Sequence, residues 1–285
     1  GGSKVHNSNF NIRCSYIHDN FRQGVLGTDN GFVLEYNYFK NNGYALPILG
    51  HHIYLNNPDM LPTSNVIIRM NELYQAALSQ TSGSSYGANY EAGKCASVAL
   101  AAHGNAGLYS NYLIRNNYVH EDLNNVNQSC WGIALGHGER DNAWRNVRVD
   151  GNRVENMGGA GIYVAACKDC TVSNNFVMNS QPMQTNAIVL TSPHGFEGSG
   201  NKVLYNTVIF NDVLSDSSGI AIDNQTSNNV IVGNAISNTG SSRVAEMHID
   251  ESNTTFLYVG SNIFSGNGLL RNSDLLNAGE TTWCP

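Results

Sequence analysis

Apolar residues recur along this chain in short alternating runs that share one polar companion. Two apolar positions one residue apart lead to a short gap and an Asn, and a further apolar residue stands two places beyond it. Phe32 to Phe39 around Asn37, Val66 to Leu73 around Asn71, Tyr112 to Val119 around Asn117, Val147 to Val154 around Asn152 and Cys170 to Val177 around Asn175 are five such copies. Three more centre on Asn206, Asn234 and Asn262, and an earlier copy, Ile12 to Ile17, carries Ser15 in the Asn position. Successive positions lie 22 to 46 residues apart, a period that marks solenoids.

A second run lies between these units, with inward apolar residues two apart. Its members are Ile53/Leu55, Val98/Leu100, Ile133/Leu135, Ile162/Val164, Ile188/Leu190, Ile220/Ile222 and Met247/Ile249. Alternation over so few residues marks a strand with one buried face, so each repeat supplies at least three short strands. One coil cannot bury its own apolar face, whereas coils stacked about 4.8 Å apart share a continuous core and pair each other's backbones. The recurring Asn is expected to take the left-handed conformation at the bend and to bond its counterparts as a ladder.

The pattern therefore predicts an all-β chain: a single-domain right-handed parallel β-helix over 1–285, a solenoid of about nine rungs with an Asn ladder. A Ser-, Gly- and Tyr-rich loop from Ser79 to Lys94 interrupts it. The repeats Asn-Asn-x-Val, Gly-Ile-Tyr-Val and His-His-Ile-Tyr-Leu resemble the right-handed parallel β-helix repeat superfamily, which includes the pectate-lyase-like enzymes. The resemblance covers nearly the whole chain and implies the fold. It leaves function open, because that superfamily spans lyases, hydrolases, epimerases, phage tailspikes and adhesins.

Composition narrows the setting. Only 13% of residues are charged, so the surface is built from neutral polar side chains, as in extracellular β-rich proteins. A net charge of -7 without any basic run argues against nucleic acid, whose affinity comes from cations neutralising phosphates. No apolar stretch reaches the roughly 18 residues of a membrane span, and Gly1-Gly2-Ser3-Lys4 does not resemble a signal peptide. A secreted or cell-surface location is expected, and the chain reads as a mature or trimmed product.

The six cysteines fit an oxidising compartment. Aligned on Val98 and Ile133, Cys95 and Cys130 stack on neighbouring rungs at about 5 Å, which predicts a Cys95–Cys130 disulfide. Cys167 and Cys170 have the spacing of a redox motif, half a zinc site or a turn staple. No helix start and no second ligand pair accompany them, which favours a turn disulfide, with free or metal-bound thiols as the alternative. Cys14 and Cys284 are about eight rungs, or roughly 40 Å, apart. A bond between them would join two chains head to tail, and such a contact propagates into a filament.

Candidate chemistry falls on the outward side of the second run. On the alignment above, one column reads Tyr54, Ala99, Ala134, Tyr163, Val189, Ala221, His248, and the next Asn56, Ala101, Gly136, Ala165, Thr191, Asp223, Asp250. The small residues leave a trough bounded by Tyr54 and Tyr163, whose rings suit sugar faces. His103, His137, Glu139 and Arg140 stand at its edge. In a functional reading His137 or His103 is a general acid/base, Glu139 its partner or the second carboxyl, and Arg140 the counter-charge for a uronate. The alternative makes the histidines strand terminators bonded to turn backbone and the tyrosines ordinary outward residues.

Asp223 stacked over Asp250, with Glu251 adjacent, resembles the calcium-binding arrangement of pectate lyases, and hard oxygen ligands suit Ca2+. The basic residue those enzymes place near the metal is not evident here, and a solvated acidic patch is the alternative. No other cofactor requirement is evident. Three function classes stand: a lyase, hydrolase or epimerase acting on an extended polysaccharide; a structural or adhesive surface protein, including a head-to-tail filament subunit; and a catalytically silent carbohydrate binder. The first rung begins within about ten residues of Gly1 and no capping helix is legible. A fragment, or a chain that stacks on a neighbour through open strand edges, is therefore expected.

Overall fold

The computed structural model describes residues 9–27, 30–43, 50–56, 62–75, 98–103, 108–123, 130–136, 143–192, 198–214, 216–223, 226–242, 244–249, 258–266 and 269–270. Among them there is no helix, and the strands form three nine-stranded sheets and one of six. The first sheet runs from Asn11–Arg13 to Tyr258–Gly260, the second from Tyr16–His18 to Ile263–Gly266, and the third from Val25–Leu26 to Leu269–Leu270. Each coil adds one strand to each, so the described residues form nine rungs. The six-stranded fourth sheet, from Thr63–Ser64 to Thr226–Ser227, lies on the path from the third sheet to the first.

Alternation decides which residues face in. In the first sheet the middle residue of each strand points to the core, so Leu34, Ile68, Ile114, Val149, Val172, Val203 and Ile231 stack as one column and are buried. Phe39, Leu73, Val119, Val154, Val177, Val208 and Ile236 do the same in the second. Burying each such side chain contributes about 1.5–3 kcal/mol, and like residues on like repeat without a register conflict.

The ladder forms as expected and is fully bonded. Asn71 Oδ1 accepts the backbone N–H and the side-chain amide of Asn37, both at 3.0 Å, while Asn71 donates its own amide to Leu34 O at 2.9 Å and Asn117 Oδ1 at 2.9 Å. The pattern repeats through Asn152, Asn175, Asn206, Asn234 and Asn262, and Ser15 starts it with its backbone N–H on Asn37. The left-handed residue is not the ladder Asn but the one before it. Cys14, Tyr36, Met70, Asn116, Gly151, Asn174, Tyr205, Gly233 and Ser261 have φ between 49° and 70°. That residue turns the chain, which frees the next one to aim both its amides along the stack. A shorter ladder went unread: Cys170 N–H donates to Asn201 Oδ1 at 3.0 Å, and Asn201 N–H to Asn229 Oδ1 at 3.1 Å.

One register differs from the sequence alignment by two residues. Leu100, not Val98, lies level with Ile53 and Ile133, and Ala102 is level with Leu55 and Leu135. The alignment that set Cys95 level with Cys130 is therefore displaced. Cys130 is buried and disulfide-bonded, with its partner outside the described residues; Cys95 also lies outside them. Cys167 and Cys170 form the turn disulfide, and Cys14 is exposed and free. The loop from Ser79 to Lys94 and Cys284 fall outside the described residues.

Candidate functional site

The third sheet presents its outward residues in two columns. Pairing gives the first as Leu26, Tyr54, Ala101, Ala134, Tyr163, Val189, Ala221 and His248. Ala101 replaces Ala99 as the neighbour of Tyr54, a consequence of the two-residue shift. The same shift puts His103, the last residue of the strand Val98–His103, at the level of Asn56 in the second column. That column continues to Ala165, Thr191 and Asp223.

Tyr54 and Tyr163 stand three rungs, or about 14 Å, apart on one face. Both pack against buried Ala134, and so does Trp131, which the sequence pattern did not single out. The Trp131 and Tyr163 ring centroids are 4.9 Å apart, and Tyr54 lies 5.0 Å from the ring of His51. The indole lies over Gly159, where a Cβ would overlap its Cδ1. Ala160, Val189 and Ala221 continue the floor. Period-two alternation from inward Ile133 would turn Trp131 inward; instead Gly132, whose Cβ would meet Val154 and Met157, also faces the core, so no local pattern pointed to Trp131. Burial, with a smaller effect of Tyr109, raises the pKa of the Tyr54 phenol, which therefore acts as a neutral ring and hydrogen-bond donor. A flat alanine floor edged by half-buried rings is suited to the C–H faces of sugars.

The structure separates other predicted residues. His103 and Asp223 share a column but lie four rungs apart, about 19 Å, so they do not form one acid/base pair. His137, Glu139 and Arg140 lie outside the described residues, just past the strand Trp131–Leu135. Asp250 and Glu251 also lie outside them, so the calcium proposal rests on Asp223 alone within the described part. Among the described residues no three His, Cys, Asp or Glu side chains converge as metal ligands. His51 and His52 are both buried but diverge: His51 turns to Tyr54, whereas His52 accepts the Asn42 amide on Nδ1 at 3.0 Å.

The outward face of the second sheet carries a network that the sequence pattern did not reveal. The His120 ring stacks between those of Tyr118 (4.0 Å) and Tyr74 (4.6 Å) and its Nε2 meets Glu72 at 3.0 Å. Tyr118 donates to Glu155 at 2.8 Å, Tyr74 to Asp122 at 2.9 Å, and Arg153 Nε to Glu155 at 2.6 Å. Burial and then these carboxylate bonds push both phenols up to about 12. Since Glu72, Asp122 and Glu155 already have partners, this face stabilises the stack rather than offering an open acid or base.

No protein-family model matches the chain, and neither does any curated protein. Solved structures do. The Dettilon tailspike protein (gp208) is 16% identical, with a TM-score of 0.50 over 84% of this chain. The chain is a parallel β-helix. It spans 44% of the tailspike's length. The A-module of Azotobacter vinelandii mannuronan C-5 epimerase AlgE4 is 12% identical (TM-score 0.41, covering 90% of this chain and 75% of that one). The Streptococcus pneumoniae surface protein and adhesin PfbA is 13% identical (TM-score 0.40, covering 86% and 68%). At these identities the likeness is one of fold.

Proposed function

We propose that the protein binds an extended polysaccharide along the third sheet of the solenoid. The observation that carries this reading is the set of three rings, Tyr54, Trp131 and Tyr163, gathered on the small floor at Ala134. Rings spaced along a rigid stack take successive sugars of a linear polymer with little ordering cost to the protein. His103, in the adjoining column, is the proposed general acid/base, with His137, Glu139 and Arg140 proposed to complete a lyase, hydrolase or epimerase site. Calcium at Asp223, Asp250 and Glu251 is proposed as a ligand-bridging ion. The Cys167–Cys170 disulfide and the neutral polar surface support a secreted or cell-surface setting. In the filament reading, Cys14 and Cys284 link neighbouring chains; independently of that reading, Cys95 is proposed to pair with Cys130.

The test is affinity electrophoresis and calorimetry against a panel of neutral and acidic polysaccharides, using the intact chain and Tyr163→Ala and Trp131→Ala variants. Loss of one anchoring ring is expected to weaken binding by about tenfold, or about 1.4 kcal/mol, with an unchanged unfolding midpoint for Tyr163→Ala. Binding that is indifferent to both variants would refute the trough. Catalysis is read from newly formed reducing ends, unsaturated uronate, or exchange of sugar C–H protons in heavy water, and its loss in His103→Gln would support the acid/base role.

A further inference from the structure

The charge of this chain is unevenly placed. Of the ten lysines and arginines among the described residues, seven stand on outward positions of the first and fourth sheets. Among the described residues only Glu35 and Asp150 on the first sheet and Asp169 at the bend oppose them, on a chain whose net charge is -7. Three of the seven are held by the buried carboxylates: Arg13 and Arg69 bond Glu35 at 2.7 and 2.5 Å, and Arg115 bonds Asp150 at 3.2 Å. Ser173 and Asn174 also donate to Asp150, at 2.8 and 2.9 Å. The other four, Arg145, Arg148, Lys168 and Lys202, are exposed and make no ion pair within the described residues.

Their placement is regular. Arg145 and Lys168 are direct neighbours on adjacent rungs of the fourth sheet. Across the bend, Arg148 and Lys202 share a first-sheet column with Thr171 between them, so they are two rungs, about 10 Å, apart. Arg115 flanks them one rung earlier. Two short cationic rows thus run parallel to the solenoid axis, on a backbone fixed by continuous parallel pairing. Beside them, exposed Asn146 donates to Asn111 at 2.7 Å, and amides of this kind suit hydroxyl groups. The fourth-sheet column, Ser64, Ser110, Arg145, Lys168, Ser199 and Ser227, holds no ring on which nucleobases would stack.

We infer that this face is a second glycan-binding surface, which takes an acidic polysaccharide, a polyuronate, lying along the axis with carboxylates on both rows. Guanidinium forks pair with carboxylates in two-point geometry, and a linear polyanion meets the rows without bending. The site is separate from the third-sheet trough and does not depend on it.

The test replaces the four unpaired cations with residues already found in their columns: Arg145→Ser, Lys168→Ser, Arg148→Thr and Lys202→Thr. Polygalacturonate is the probe, with dextran as its uncharged comparison and oligothymidylate as a polyanion of another class. For the intact chain, polygalacturonate affinity is expected to fall steeply with added salt. In the fourfold variant it should drop at least about tenfold and lose most of its salt dependence. Dextran binding and the unfolding midpoint should not move. If the fourfold variant is unstable, the pair Arg148→Thr and Lys202→Thr carries the same test. Unchanged polygalacturonate affinity overturns the inference. So does oligothymidylate binding as tightly at equal charge, which would make the face a general polyanion surface. Tyr163→Ala should leave the salt-dependent component intact, so failure here and failure of the trough are told apart.

Discussion

Replacing Asn152 with Ala at the centre of the ladder removes four hydrogen bonds between rungs, besides a longer one to Asp150 O in its own coil at 3.4 Å. Two are donated by its amide, to Ile114 O at 2.9 Å and Asn175 Oδ1 at 3.0 Å; two are accepted by its oxygen, from the Asn117 backbone at 3.0 Å and the Asn117 amide at 2.9 Å. The losses are unequal. Asn175 Oδ1 keeps the backbone N–H of residue 152, and the Asn117 amide keeps Ile68 O. What is orphaned outright is the Asn117 backbone N–H and one amide hydrogen, both buried. At about 1–3 kcal/mol for each unsatisfied buried group, Asn152→Ala is expected to cost about 4 kcal/mol. Urea unfolding followed by the fluorescence of buried Trp144 measures it. Asn152→Asp keeps the acceptor but sets a carboxylate against two oxygens, so its pKa in the folded chain rises above the ordinary value near 3.9. Its stability deficit should then shrink as pH falls towards 4. Asn146→Gly, on the surface with the same left-handed requirement, should change stability by less than about 0.5 kcal/mol. A cost below about 1 kcal/mol for Asn152→Ala would show that the amides do not hold the rungs together.

Three further outcomes follow from single side chains. Burial holds the pKa of His52 down to about 3, against 6.5 in an unfolded chain. Unfolding therefore binds a proton between those values, and stability should decline as pH falls through that window, by about 5 kcal/mol at its lower end. A urea midpoint that does not move between pH 7 and pH 4 would contradict this. Tyr74 and Tyr118 stay neutral up to about pH 12, whereas unfolded tyrosines ionise near 10. The stability they confer below pH 10 is lost as pH rises towards 12, and phenolate absorbance should show two late-titrating groups. Gly159→Ala should displace the Trp131 indole and weaken glycan binding as much as Trp131→Ala does, since the new methyl occupies the ring's position; unaltered binding would place the glycan elsewhere.

The ladder was legible because an Asn that returns at one fixed place between apolar strand residues must satisfy a buried amide on every rung, and only its own copies above and below can do so. The conformation at the bend was not, since a left-handed residue can be Tyr36, Met70 or Gly233 as well as Asn116, and so leaves no recurring letter. The register at 98–103 fails for a different reason. Val98/Leu100 and Leu100/Ala102 both satisfy period-two alternation, and a slip of two keeps every side chain on its face while moving it to another level of the strand. Only pairing with Ile53 and Ile133 decides between them. That slip matters because it brings His103, rather than Ala101, level with Asn56.

The same limit accounts for the cationic face. Arg145 and Arg148 are close in the chain, but Lys168 and Lys202 follow 20 or more residues later, and no local pattern joins them. They become one surface only when each rung is in register, so a composition with few charges hides a local excess. Trp131 is hidden in the same way: its seat at Gly159 belongs to the next rung. In a solenoid, inward residues are repeated and can be read from the sequence, whereas a binding surface is assembled from single outward residues on different coils. Its chemistry therefore depends on the register to within one residue, and an error of two is enough to change which residue stands at a given level of the strand.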